Sequence, residues 1–180
     1  MYAAVDVHYL PSGEARAALV VAPSAAFSVI ETEKVVLVPE VAPYVPGQFW
    51  RRELPCLQAV LTGVSGLSLL VVDGYVDLDP SGRPGLGAHA SAAFGVPVVG
   101  VAQTRFATAT HAVPVLRGET GSARPLYVTA TGIPVAEAAE MVRTMSGRYR
   151  LPDALRRVDA RARGHAVADG RPAPRRSADQ

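Results

Sequence analysis

Two widely separated aspartates share one local setting. Residues 67–74 read LSLLVVDG, and Ala3-Ala4-Val5 runs directly into Asp6. A short unbroken apolar run marks a strand buried on both faces, as in a mostly parallel sheet. A carboxylate has no use inside such a strand. Asp6 and Asp73 are therefore expected where their strands emerge, at the end of the sheet where open α/β folds collect ligands. Two like charges brought together there are costly unless a cation lies between them. The chemistry these residues point to is a divalent-metal site built on Asp6 and Asp73. Either acid alone suits a loop cap equally well, and the matching position at two strand ends favours the metal.

The elements that must carry these acids follow from periodicity. Strands are expected at 2–8, 16–22 and 34–38, rich in Val, Leu and Ala, with a turn at Pro11-Ser12-Gly13 that makes them an antiparallel meander. The segment Pro43-Tyr44-Val45-Pro46-Gly47 is too proline-rich for a helix or an inner strand. From 53 to 64, Leu57, Val60, Leu61 and Val64 recur at helical spacing, with Glu53 at the start, where its charge also suits the helix dipole. The sheet resumes at 67–73. A polar loop at 77–84, a short helix at 86–94 and a buried strand at 96–101 come next. Strands at 112–116 and 125–129 are joined by a Gly-rich turn. Pro134 opens a helix to Met145, and a second helix runs from 152 to 163. Residues 164–180 have almost nothing to bury and are expected to be a disordered tail, leaving one domain over 1–163. Strands first, then alternating helices and strands, make an α/β fold with a mixed sheet.

Composition narrows the function classes. The chain has 180 residues, 49% of them hydrophobic and 19% charged, so a real core is expected. A net charge of +2 is too small to announce a polyanion partner, although Lys34 is the only lysine and arginine grips phosphate bidentately. Cys56 stands alone, which excludes a disulfide framework and a cysteine zinc site. Asp6 interrupts any leader-like apolar core, and no apolar run approaches membrane-spanning length. A soluble, cytoplasmic protein is expected, with no membrane partner.

Three stretches fit one known pattern: AAVDVHY at 3–9, PYVPGQFWRRELP at 43–55 and VVDGYVDLDPSGRPGLGAH at 71–89. They resemble the endonuclease V family, and VPVVGVAQT at 96–104 and the segments within 125–156 extend the likeness. The resemblance implies an RNase H-like fold, a mixed central sheet flanked by helices. It also implies a Mg²⁺-dependent nuclease, with Mn²⁺ as a possible substitute. Its substrate would be the phosphodiester bond near a deaminated base, inosine above all, in DNA or RNA, and its role nucleic-acid repair or processing. On this basis Asp6, Glu53 and Asp73 match the catalytic metal-binding carboxylates, and Tyr44 matches a strand-opening wedge. Gly47 and Gly74 fall in loops whose backbone lines the pocket for a flipped base. Elementary chemistry agrees: hard oxygen ligands suit Mg²⁺, a stacked base must be flipped to be inspected, and a proline-framed tyrosine can fill the gap. Arg51 and Arg52, beside Glu53, are phosphate candidates. His89, in a Gly-x-Ala-x-His pattern, suits a structural or a phosphate-contacting role equally. A monomer is expected.

The sequence also departs from that family. Val76, Asp79 and Ser81 stand where the loop after Asp73 usually has glycine, histidine and arginine. Gln103 stands in place of a lysine, and Thr129-Ala130-Thr131-Gly132 replaces Ser-Pro-Gly-His. A lost lysine removes a point charge that could balance a transition state, and Asp79 is expected to make the pocket more negative. Two other functions are thus compatible with the residues: the same nuclease with altered substrate preference, and a nucleic-acid-binding module with impaired catalysis.

Overall fold

The computed structural model describes residues 1–118 and 124–165. The tail expected over 164–180 lies outside them from residue 166 onward. In order, the elements are β1 (Tyr2–Tyr9), β2 (Ala15–Ala22), β3 (Thr32–Val38), α1 (Trp50–Leu61), β4 (Leu69–Asp73), α2 (Leu86–Phe94), β5 (Val98–Ala102), β6 (Val113–Val115), β7 (Leu126–Thr131), α3 (Val135–Thr144) and α4 (Asp153–Ala162). They build a seven-stranded sheet ordered β3-β2-β1-β4-β5-β7-β6. β1, β4 and β5 run parallel, while every other pairing is antiparallel. The meander and the mixed sheet are as expected. Among the described residues, no helix is long and apolar enough to cross a membrane.

Alternation along β4 explains why it sits at the centre. Leu69 and Val71 join Ala4, Val99, Val101 and the apolar faces of α3 and α4 in one core layer. Leu70 and Val72 join Val5, Leu19 and the α1 residues Leu57 and Val60 in the other. A strand that is apolar at every position therefore has a core to fill on each side. The sheet edges tell the converse story. β3 alternates exposed and half-buried residues, and β6 carries Pro114, which an edge strand accommodates without losing a ladder bond. α1 begins at Trp50, three residues before the sequence expectation.

The structure corrects the placement of Asp6. It does not end β1, because the strand continues through Val7, His8 and Tyr9, paired with Ala17, Arg16 and Ala15 of β2. The antiparallel partner supports β1 past the point where parallel pairing with β4 stops, at Val5↔Val72. His8 lies within the strand, as expected. Asp6 and Asp73 follow that last register pair side by side. By alternation they share the face of Ala4 and Val71, toward α3 and α4.

Beyond Asp73 the chain must leave β4 and cross the opposite face of β5. Gly74 takes φ +126°, and its N–H donates to the Val101 carbonyl at 3.1 Å. The Val76 N–H then donates to buried Thr129 Oγ1 at 2.8 Å. Gly100 makes room for this crossing: a Cβ there would meet Gly74 O at 2.6 Å, Thr129 Oγ1 at 2.8 Å and Val76 N at 2.9 Å. Two of those atoms are backbone and cannot swing away. Gly100→Ala is accordingly expected to destabilise the fold by about 1–3 kcal/mol, read as a lowered urea midpoint. A midpoint equal to the parent's would show that the crossing is slack.

Candidate active site

A cleft opens where β1, β4 and β5 meet α4. It is lined by Asp6, Asp73, Gln103, Leu151, Leu155, Val158 and Asp159. Asp6 and Asp73 enter from adjacent strands, and Asp6 Oδ1 accepts the Val7 N–H at 2.9 Å. Asp159 was not anticipated from the sequence. α4 buries Ala154, Leu155, Val158 and Ala162, and Asp159 follows Leu155 by one helical turn, at the edge of that apolar face. A carboxylate at a core-facing edge is the available signal, and it lies among several arginines on the same helix. Asp159 is held by Arg163, whose Nε lies 2.7 Å from its Oδ1.

The acids feel one another. Burial, followed by the Asp73 charge, pushes Asp6 up to about 7. Burial also raises Asp73, against a hydrogen bond from the Gln103 side chain, and Asp159 adds to the rise. Glu53 is only 7% exposed. Burial, then Asp6 and then Asp73 hold it well above the usual carboxylate range, with Arg52 opposing. Glu53 comes from α1, packed on the other side of the sheet, and meets the field of the two aspartates at the sheet's end. All three carboxylates expected from the sequence thus belong to one electrostatic cluster, with Asp159 as a fourth member.

Among the described residues, no three His, Cys, Asp or Glu side chains enclose a point as a ready-made metal cage. The donor set nevertheless fits a hard divalent cation. Its side-chain donors are oxygens, and its mutual repulsion is what a positive charge would relieve. Mg²⁺ commonly keeps several waters and uses only one or two carboxylates directly, so a closed cage is not required.

The remaining expected residues lie in the loop before α1, in α1 and α2, and just beyond β4. Tyr44 is 61% exposed, on the loop before α1. At Gly47 (φ +75°) and Gly74 nothing lies within 4 Å of where a Cβ would stand. The Arg51 guanidinium lies 5.5 Å from the Trp50 ring centroid. Arg52 stacks on Tyr9 at 4.0 Å, and its Nε is buried without a hydrogen-bond partner. His89 stacks on Trp50 with ring centroids 3.9 Å apart, joining α2 to the first turn of α1, and burial lowers its pKa. Asp79 does not load the cleft as expected. Its Oδ1 accepts from Ser81 N and Oγ and from Arg83 N, and Arg83 pairs with its other oxygen at 3.3 Å. It is a staple for its own loop.

Comparison with known proteins places the chain in a family. The endonuclease V family model matches residues 1–132. Endonuclease V of Rhodospirillum centenum is 34% identical over 199 aligned positions, covering 93% of this chain and 81% of that protein. The crystal structure of endonuclease V from Streptomyces avermitilis superposes with a TM-score of 0.76 at 28% identity, over 91% of this chain and 79% of that one. A complex of Ciona intestinalis endonuclease V with a 23mer DNA containing an inosine followed by a ribo-adenosine gives 0.75 at 17% identity, over 91% and 83%. The latter speaks to fold alone. The shared architecture is the RNase H-like fold, and the identity and coverage reach beyond architecture to descent: this chain belongs to the endonuclease V family.

Proposed function

We propose that the protein is a metal-dependent endonuclease that hydrolyses a phosphodiester bond beside a deaminated base, inosine first, in DNA or RNA, acting as a monomer. The observation that carries this reading is the pairing of Asp6 and Asp73 in one cleft, within the field of Glu53 and Asp159. Asp6, Asp73 and Glu53 would hold Mg²⁺ or Mn²⁺, which supplies charge neutralisation at the phosphate and a more acidic water. The protein's own groups do the rest. Arg51, exposed beside Glu53, offers a guanidinium to a flanking phosphate. Arg52, fixed by its stack on Tyr9, tempers the charge of Glu53. His89 acts through its ring stack, steadying the turn that carries Glu53. The open space at Gly47 and Gly74 admits a flipped base close to the backbone. Membership of the endonuclease V family supports this substrate class.

The test is cleavage of labelled inosine, uracil, abasic and unmodified strands, in DNA and RNA, with Mg²⁺, Mn²⁺ or EDTA. The expected result is a nick near inosine that requires the cation. Equal cutting of all strands would instead indicate altered substrate preference, and shifted but uncut strands a binding module. Tyr44→Ala is expected to lower cleavage of inosine in a duplex about tenfold, given roughly 1–3 kcal/mol per base–aromatic stack. Single strands, which need no wedge, should be cut nearly as well as by the parent. Equal losses on both would rule out the wedge.

A further inference from the structure

Asp73, at the end of β4, and Gln103, just past the end of β5, line one cleft. Asp73 pairs in register with Val101 of β5, and Gln103 follows two residues on, on the same face. Behind Gln103 stands Arg150, in the connection between α3 and α4. Its Nη1 donates to the main-chain carbonyls of Gln103 and Pro125, each at 3.2 Å, and its Nη2 reaches Gln103 Oε1 at 3.4 Å. A guanidinium has only donors to offer. The amide oxygen must therefore be the atom that faces Arg150, which leaves the amide NH₂ as the donor available to Asp73 across the cleft that both residues line. In the reverse flip, oxygen would face carboxylate and NH₂ would face guanidinium, and both contacts would be repulsive. Arg150 thus removes the two-fold ambiguity of the Gln103 side chain.

We propose that Gln103 is a positioning residue for Asp73: locked by Arg150 in one amide orientation, it donates to the Asp73 carboxylate and fixes the oxygen left to face the cation. The proposal rests on the reading of Asp73 as a metal ligand. It also gives Arg150 a task beyond tying the exit of β5 to the start of β7, because the guanidinium acts on the cleft through one intervening amide. Partners of this outer kind commonly change metal affinity by about 10–100-fold.

Calorimetric Mn²⁺ titrations of the full chain test it, using the parent, Gln103→Met, Arg150→Met, the double variant and Asp73→Ala. Gln103→Met keeps length at an exposed position but has no donor. It is expected to weaken Mn²⁺ about tenfold and to lower kcat on an inosine strand, with KM unchanged. Arg150→Met should weaken Mn²⁺ less, and the double variant should lose no more than about twofold beyond Gln103→Met, since both act through one contact. Mn²⁺ affinity of Gln103→Met within twofold of the parent, while Asp73→Ala abolishes binding, would overturn the proposal and leave the metal reading intact. Fully additive losses would also overturn it, because Arg150 would then act elsewhere. Unchanged binding in Asp73→Ala would instead remove the metal reading on which the proposal stands. Should Arg150→Met fail to fold, Arg150→Lys, which keeps a donor but not the fork, takes its place.

Discussion

Asp73→Asn is expected to lower strand cleavage by about 10³-fold or more while tightening binding of the same strand in EDTA. The two effects have opposite signs for one reason. Asp73 belongs to a cluster of four acids, Asp6, Glu53, Asp73 and Asp159, with the guanidiniums of Arg52 and Arg163 as counter-charges. Without a cation that cluster repels a phosphate backbone, and each acid removed weakens the repulsion. With a cation, the same acid holds the charge on which hydrolysis depends. Loss of an outer partner of a metal ligand typically costs about 10–100-fold, so loss of a direct ligand should exceed that. Asp159→Asn should cost less, about tens of fold, because its carboxylate is already paired with Arg163 at 2.7 Å. Single-turnover cleavage gives the first effect and fluorescence anisotropy in EDTA the second. The gain in binding should shrink as salt rises from 50 to 200 mM, since the field is screened over about 7 Å at the upper end. Cleavage by Asp73→Asn within tenfold of the parent would show that the cation is held elsewhere.

How much of this site could be read without coordinates depended on how each residue announces itself. Asp73 interrupts an apolar run at its end, and the register of β1 with β4 then brings Asp6 beside it. A carboxylate breaking a two-sided apolar strand has few explanations. Glu53 had two compatible ones, helix dipole and metal, and only the family resemblance pointed to the second. Its burial shows why composition could not: an acid at a helix start is ordinarily solvated, whereas this one is 7% exposed. Asp159 lay hidden because an amphipathic helix places charges at every edge of its apolar face, and only packing reveals which edge meets a cleft. The place of Asp6 within β1 was misjudged for a related reason, since the hairpin partner that carries the strand past it acts through pairing and not through composition. Asp79 illustrates the opposite failure. Proximity in sequence to Asp73 implied proximity in space, yet Ser81 and Arg83 draw it back into its own turn. Gln103 looked like a deletion of charge. The guanidinium of Arg150, from a distant part of the chain, stands behind it, and such a partner is invisible to any local motif.

The acid cluster also fixes how the metal-free protein should respond to pH. Asp6 titrates near 7 in the folded state, through burial and then the charge of Asp73, against about 3.9 when unfolded. Between those values the folded chain keeps a proton that the unfolded chain has released. Stability therefore falls as pH rises from about 4 to about 7. Below that window Asp6 is protonated in both states, and above it the loss is complete. Asp73 and Glu53, both held above their ordinary values by burial, steepen the fall. Asp79 and Glu140, held low by Ser81 and Arg143, act in the opposite sense, and only below the ordinary carboxylate range. In EDTA the melting temperature should thus decline between pH 5 and 7.5. A cation at a hundredfold excess over its Kd should restore about 2.7 kcal/mol at pH 8, and less at pH 5, where protons compete for the same oxygens. Asp6→Asn removes one buried charge from the cluster. At pH 8 in EDTA it should melt several degrees above the parent, at about 2–4 °C per kcal/mol for a chain of this size, and it should gain little from Mg²⁺ or Mn²⁺. A melting temperature that stays level or climbs across the window, or an Asp6→Asn variant less stable than the parent at pH 8, would mean that these carboxylates are at ease without a cation, and the case for a metal centre would go with them.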